Sequence, residues 1–391
     1  MKSLDDKSFQ IGLKRAVTSY QRGIVELLRK YPETIELTRD VRRIKEYSIK
    51  NNDKLLKTAM SRLEENGANV YYAANADDAR KIIREIVGDS KIIVKSKSMT
   101  SEEIDLRDFL INQDMEVWET DLGEFIIQLD KSKPMHIVTP SLHIPREKVA
   151  KLFEELMGQK FDPDDIEGMV RGARYFLREK YFTADCGITG ANVVAAEDGA
   201  ILIIENEGNA KLTYIMPKKH IVLVGIEKIV PNLLDAMKVA LVTWRYAKYE
   251  MAAYVNIIFG PSKSFLFGSK HTGVNGPEEL HVVFLDNGRK EMMKSKDFLE
   301  ATYCLRCGAC IYECTVFSQV AGYFGGKTYM SGIGTIWSAF TEGLDQAIPA
   351  AYTCLLDARC RERCPISVDV PSMIIRLRRK IVELDKKGSN R

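Results

Sequence analysis

The chain has 391 residues, a formal net charge of +3, 45% hydrophobic and 28% charged residues; this ordinary globular balance implies two or three domains, each able to bury its own core without disulfide staples. No uncharged apolar run approaches the roughly 18 residues that a membrane helix needs, and the opening MKSLDDKSFQ puts acidic residues where a secretory signal has its apolar segment, so the expected location is the cytoplasm. From Ala351 onward ten Lys/Arg stand against five Asp/Glu, but they flank cysteines without the aromatic interleaving of single-strand binding, which argues against nucleic acid.

Residues 1–66 read as a helical N-terminal arm. The stretch VRRIKEYSIKNNDKLLKTAMSRLEENG spaces its apolar residues at three and four and ends at Gly67. From 67 to 290 the pattern changes to short β-rich runs separated by amphipathic helices. NVYYA, KIIVK, MEVWET, EFIIQL, MHIVT, AILIIEN, KLTYIMP and HIVLVGI are expected strands; DDARKIIREIVG, a segment from Ser101, REKVAKLFEELMG and PDDIEGMVRGARYFLREKYF are expected helices. Such alternation predicts an α/β fold with a mainly parallel sheet covered on both faces. GSKHTGVNGPEEL reads as a long loop at the domain edge, and a linker through NGRKEMMKSKDF leads to a third region, 296–391.

Four polar clusters follow apolar strands in the α/β region: KSKSM, TDLGE, DCGITGAN and ENEGN. In open α/β sheets ligands bind beyond the carboxyl ends of strands. The clusters therefore predict one anion-binding or substrate cleft, with Lys95, Lys97, Ser98, Glu124, Thr189, Asn192, Glu207 and Asn209 as its candidate residues. Gly187 and Gly190 could supply turns whose N–H groups face an anion, although chain reversal is the commoner use of such glycines. His136 and His143 lack the spacing of a metal pair and read as structural, and Cys186 reads as a small apolar filler.

Seven of the eight cysteines lie between Cys304 and Cys364, which excludes a chain-wide disulfide framework. Cys304-x2-Cys307-x2-Cys310-x3-Cys314 has the spacing of bacterial ferredoxins, in which three close thiolates hold one cubane and the fourth reaches its neighbour. Zinc knuckles pair C-x2-C units across a longer loop instead. Cys354-x5-Cys360-x3-Cys364 repeats the run if Asp357 stands at its second position. The crossed assignment gives one cluster Cys304, Cys307, Cys310 and Cys364, and the other Cys314, Cys354 and Cys360, with Asp357 or solvent on its fourth iron. Carboxylate is a harder and weaker ligand for iron than thiolate, so of the two [4Fe-4S] clusters expected, the one facing Asp357 could be isolated as [3Fe-4S]. Arg359, Arg361 and Arg363 beside it could raise its potential, form a docking face for an acidic partner, or simply be solvated.

The sequence resembles the lactate utilization protein B family over nearly its whole length, in VRRIKEYSIKN, GANVYYAANADDA, VKSKSMTSEEI, TDLGEFIIQL, GITGAN, NEGN, CLRCGAC and GGKTYMSGIGTIW. The resemblance implies a lactate-utilization (LUD) domain of NagB/RpiA/CoA-transferase-like α/β fold at 67–290, then a mainly α-helical two-[4Fe-4S] ferredoxin-type domain at 296–391. It also implies two partners, a cysteine-rich heterodisulfide-reductase-like subunit and a LUD-only subunit, in a complex that oxidises L-lactate to pyruvate. The chain departs from the fuller family pattern at Asp357 and in stopping soon after VELDKKGSNR, which bears most on the identity of the 2-hydroxy acid. No G-x-G-x-x-G follows a strand, so the expected role is electron transfer without an own flavin or NAD site. The alternatives are a redox adaptor of a heterodisulfide-reductase-like assembly, with the LUD domain as docking module, and a stand-alone enzyme, which the missing fingerprint disfavours.

Overall fold

The computed structural model describes residues 5–266 and 269–388. Its strands in chain order are β1 (Asn69–Ala73), β2 (Ile92–Lys95), β3 (Glu116–Glu119), β4 (Cys186–Thr189), β5 (Val193–Ala195), β6 (Ala200–Glu205), β7 (Lys219–Gly225), β8 (Ile229–Val230), β9 (Tyr254–Ile258), β10 (Lys263–Leu266), β11 (Ser269–Thr272) and β12 (Glu279–Leu285). Six of them form one sheet in the order β1-β12-β7-β4-β2-β3, with every neighbouring pair parallel. The sheet alternates its side chains between two cores, as a strand period of two requires. Along β7, Val222 and Val224 pack with Leu55 and Leu63 of the helix Asn52–Glu65, whereas Ile221 and Leu223 pack with Ala79 and Ile83 of the helix Ala76–Val87. Burial on both faces is why HIVLVGI reads as a continuous apolar run.

A second sheet of four strands, β8-β5-β6-β9, is mixed and was not foreseen. Strands β5 and β6 pair antiparallel through a tight turn at Gly199, whose φ of +60° suits glycine. The antiparallel hairpin β10/β11 replaces part of the long loop expected around GSKHTGVNGPEEL; Gly268 lies outside the described residues. The strand β12, also missed, enters the large sheet between β1 and β7.

Three expected strands are corrected. EFIIQL belongs to the helix Leu122–Asp130, because Asp121 caps its start by accepting the Glu124 N–H at 3.1 Å, a local signal that outweighs a short apolar run. KLTYIMP lies mostly in the helix Asn209–Ile215, where the Glu205 carboxylate accepts the N–H groups of Ala210 and Lys211 at 2.8 and 3.0 Å. MHIVT forms no strand. Its backbone is captured by His136, whose Nδ1 accepts the Val138 N–H at 3.0 Å, and a side chain that takes a backbone donor competes with a sheet ladder.

The helices Lys7–Lys30 and Glu33–Lys50 are not a detached arm. Phe9, Leu13, Val17, Tyr20 and Ile24 form a stripe at steps of three and four, which joins one core with Tyr312, Phe317, Ile333 and Trp337 of the cysteine region. Tyr20 stacks on Tyr312 at 4.6 Å and donates its hydroxyl to the Tyr246 carbonyl at 2.6 Å. Arg42 donates to Glu300 at 2.8 Å and to the Ile366 carbonyl at 3.0 Å. The amino end of the chain therefore straps the cysteine region to the second sheet. Among the described residues no helix is long and apolar enough to cross a membrane.

Candidate metal centres and the adjoining cleft

The two cysteine motifs adopt the same backbone. In Cys304-Leu305-Arg306-Cys307-Gly308, the third and fifth residues have φ of +62° and +79°; in Cys354-Leu355-Leu356-Asp357-Ala358, the same places have +59° and +61°. Each run then enters a five-residue helix, Ala309–Glu313 or Arg359–Arg363, which ends at Cys314 or Cys364. Leucine and alanine rarely take positive φ, so the repeated conformation is a strong structural statement of register. Asp357 occupies the place of Cys307.

Burial pushes the Cys310 thiol well up, and Cys304, Cys307, Cys364 and Cys360 raise it further. Burial likewise pushes Cys360 up to about 12, and Cys314, Cys354 and Asp357 add to the rise. Buried thiols drawn together in this way oppose one another's ionisation; metal coordination relieves that opposition by stabilising the thiolates. Among the described residues no three His, Cys, Asp or Glu side chains converge on a single-ion position. Cys304, Cys307, Cys310 and Cys364, together with Cys360, instead line a void walled by Leu305, Ile333 and Ile366, and the first four are the set expected for a cluster whose irons each take a different thiolate. Backbone N–H groups of Ala309 reach Cys307, those of Val316 and Phe317 reach Cys314, and that of Val368 reaches Cys364 at 3.4 Å. N–H donors aimed at sulfur are a further characteristic of iron–sulfur ligation. The donor set fits the cofactor.

Asp357 is brought to the second set, exposed, with one carboxylate oxygen accepting from the Thr315 hydroxyl and the other from the Arg359 N–H at 3.4 Å. Arg363 donates to Glu313 at 2.8 Å, whereas Arg359 and Arg361 have about half their side chains exposed.

At the carboxyl ends of β2, β3, β4 and β7 lies a cleft of about 640 Å³, lined from all four polar clusters by residues such as Lys97, Ser98, Asp121, Asn192, Glu207 and Asn209. Lys97 donates to Asp121 at 3.0 Å and to the Val138 carbonyl at 3.2 Å. Ser98 caps the helix Met99–Glu103, and the Asn192 side-chain oxygen accepts the Ile204 N–H at 2.9 Å. Three expected residues lie behind the wall. Lys95 is fully buried in ion pairs with Glu119 at 2.8 Å and Glu102 at 2.9 Å. Thr189 is buried against His220 at 2.8 Å. Glu124 is buried, which pushes its carboxyl up to about 8. The GITGAN glycines permit close packing: a Cβ on Gly187 would stand 1.8 Å from the Thr213 carbonyl, and one on Gly190 would stand 2.6 Å from Ser98 Oγ. Cys186 is buried in the sheet core, and His136 stacks on Tyr312 at 4.0 Å.

Glu227, Lys228, Tyr249 and Arg306 also line the cleft and were not foreseen. The first two immediately follow HIVLVGI, so the rule that located the other clusters could have found them. Arg306 was hidden inside the cysteine motif. Its guanidinium lies 4.0 and 3.9 Å from the ring centres of Tyr329 and Trp337. Burial pushes the Glu227 carboxyl up, but Arg289, Lys228 and Arg306 outweigh it and hold the group down at about 2.

Residues 56–285 match the LUD domain family, and residues 300–368 match the 4Fe-4S dicluster domain family. Lactate utilization protein B 1 of Bacillus mycoides is 37% identical over 345 residues, covering 87% of this chain and 70% of its own length. The chain belongs to the lactate utilization protein B family. The lactate utilization protein B of Geobacillus kaustophilus is 35% identical over 94% of this chain and 75% of its own, and that of Bacillus subtilis is 36% identical over 87% and 70%. A solved structure of a DUF162 family protein from Deinococcus radiodurans covers 60% of this chain and 98% of its own at 13% identity, with a TM-score of 0.34; so distant a likeness bears on nothing further. The helical amino-terminal region, the α/β body with its parallel sheet and the helical 4Fe-4S region together make up the lactate utilization protein B architecture of this chain.

Proposed function

We propose that the chain is the iron–sulfur electron-transfer subunit of an L-lactate dehydrogenase complex, relaying electrons released when lactate becomes pyruvate. The observation that carries this reading is the joining of a 4Fe-4S dicluster region to a LUD body in one chain; the crossed assignment of its ligands is part of the proposal. Cys304, Cys307, Cys310 and Cys364 would hold one [4Fe-4S] cluster; Cys314, Cys354, Cys360 and Asp357 would hold the other. When bound, such clusters would supply single-electron transfer, and the protein's own residues would position them and set their surroundings. The second set is read as the exit side, since Tyr352 and Leu355, within two residues of Cys354, are 52% and 63% exposed, and Arg359, which precedes Cys360, is about half exposed. That surface suits docking of a cysteine-rich heterodisulfide-reductase-like subunit, with a LUD-only subunit completing the assembly. The division into 1–66, 67–290 and 296–391 serves this reading, with the strap formed by the first segment holding the other two together.

Anaerobically reconstituted protein is expected to hold about eight irons and matching sulfide, and about seven if the corner at Asp357 is lost. Zinc without sulfide would sink the assignment. Affinity purification from lactate-grown cells should recover both partners, and adding L-lactate to the recovered complex, not to this chain alone, should bleach the cluster absorbance. Bleaching with no partner present, or none with both, would contradict the relay role.

Asp357 gives a separate expectation, because its backbone register survives while its ligand chemistry changes. Asp357→Cys should complete a four-thiolate site and suppress the three-iron paramagnetic signal of oxidised samples; Asp357→Ala should strengthen it. Identical iron counts and spectra in all three proteins would make Asp357 a partner of Thr315 and nothing more.

A further inference from the structure

The void among the first cysteine set and the cleft at the sheet edge share a wall, since Ile137, Arg306, Cys307 and Tyr329 line both. A molecule in the cleft would therefore lie against the first cluster across one layer of side chains.

The cations around that wall differ in how far they are already engaged. Arg289 is bound by Glu103 at 2.8 Å and Glu227 at 2.6 Å, Lys45 donates to the Glu227 carbonyl, and Lys97 is bound by Asp121. Lys228 lines the cleft, and its ammonium makes no hydrogen bond or ion pair among the described residues. The Nη2 of Arg306 is buried without a hydrogen-bond partner; its nearest carboxylate oxygen, on Glu227, stands 3.8 Å away and belongs to a side chain already engaged by Arg289. A buried cation without a hydrogen-bonded counter-charge is costly, so Arg306 is unsatisfied as it stands, and half-buried Lys228 adds its charge to the same wall. Two neutral groups line the same cleft: the Asn192 amide, whose oxygen is taken by Ile204 and whose NH2 can donate, and the Tyr249 hydroxyl.

We infer that the cleft binds a small organic monocarboxylate, with its carboxylate against Lys228 and Arg306 and Asn192 and Tyr249 as further donors. Charge decides for a carboxylate over phosphate. The lining carries Asp121, Glu205, Glu207 and Glu227 against Lys97, Lys228 and Arg306, so a second negative charge on the ligand would meet net repulsion; burial and then Asp121 already push the Glu207 carboxyl up. The volume is that of a small-molecule site. This inference deepens the functional reading and relies on it for the cluster signature, but binding is measurable apart from that signature.

The test uses the full chain with its clusters reconstituted. L-lactate, pyruvate and inorganic phosphate are titrated by calorimetry, and the electron paramagnetic resonance spectrum of the reduced first cluster is recorded with and without each. One of the two carboxylates should bind with one-to-one stoichiometry and perturb that spectrum, and phosphate should not compete. Lys228→Met should weaken binding by about tenfold or more, about 1.4 kcal/mol, with the iron count unchanged. Tyr249→Phe, at a partly exposed position, should weaken it a few-fold and serves if the lysine variant fails to fold. Iron-replete protein that binds neither carboxylate, or binds phosphate more tightly, overturns the inference. So does a Lys228→Met protein that binds as the wild type does while its cluster potential falls, because Lys228 would then serve only as counter-charge to the cluster. Protein that binds a carboxylate but holds no iron would fail the functional reading and leave this one standing.

Discussion

Replacing Cys307 by serine is expected to remove the first cluster, about four irons, and to loosen the parts of the molecule packed around it. Cys307 is buried in the core that joins the amino-terminal stripe Phe9, Leu13 and Val17 to Phe317, Ile333 and Trp337. A serine hydroxyl without iron would be a buried polar group lacking a partner, costing about 1–3 kcal/mol before the loss of the cluster is counted. The parallel sheet has separate cores, one with Val222 and Val224 and another with Ile221 and Leu223, and should survive. Iron analysis should show the second cluster retained. Limited proteolysis should cut first within the helix Lys7–Lys30 and the segment after Leu285, leaving a resistant fragment containing the sheet. Simultaneous loss of all structure in Cys307→Ser would mean that the sheet depends on the cluster, contrary to this account.

Arg289→Met should be the most destabilising single charge removal in the chain. Arg289 has no exposed surface; its guanidinium spans both Glu103 oxygens at 2.8 Å, Glu227 at 2.6 Å and the Asp286 carbonyl at 2.9 Å. Methionine fills much of the volume but leaves two buried carboxylates without their cation, a cost of about 3–5 kcal/mol. The pH dependence should change sign. In the wild type the Glu227 carboxyl is held at about 2, below its unfolded value, so its contribution is present above the unfolded value and is lost as pH falls toward 2. Without Arg289, burial dominates and raises the carboxyl above its unfolded value. Folding then favours the protonated form, and stability falls as pH rises through the ordinary carboxylate range. Denaturation at pH 5 and pH 8 should find the variant relatively better at pH 5. Adding Glu103→Gln and Glu227→Gln should recover part of the loss, and a variant with wild-type stability at both pH values would contradict the network's role.

Local order was legible wherever one residue type left a period or a spacing. β7 is visible in HIVLVGI because both of its faces are buried, and the helix Asn52–Glu65 is visible because only one of its faces is. The cysteine intervals indicated an iron–sulfur region and put Asp357 in register, which the repeated positive φ at Arg306, Gly308, Leu356 and Ala358 matches. EFIIQL and KLTYIMP were misread because a short apolar run has no period of its own; carboxylate caps from Asp121 and Glu205 decided for helix. Only the tertiary structure separated Lys97, which faces the cleft, from Lys95, which lies two residues away in a buried ion pair. Alternation along a strand assigns faces, but it does not say which carboxylates from other strands will meet a lysine at the sheet's edge. The same holds for the wall shared by cleft and cluster. Lys97, Lys228 and Arg306 lie in three widely separated stretches of sequence, and they meet because parallel strands end on one side of the sheet and the amino-terminal helices hold the cysteine region against that side. Side-chain chemistry was therefore set by the sequence itself, while burial and charge pairing, which depend on contacts distant along the chain, were decided by the fold.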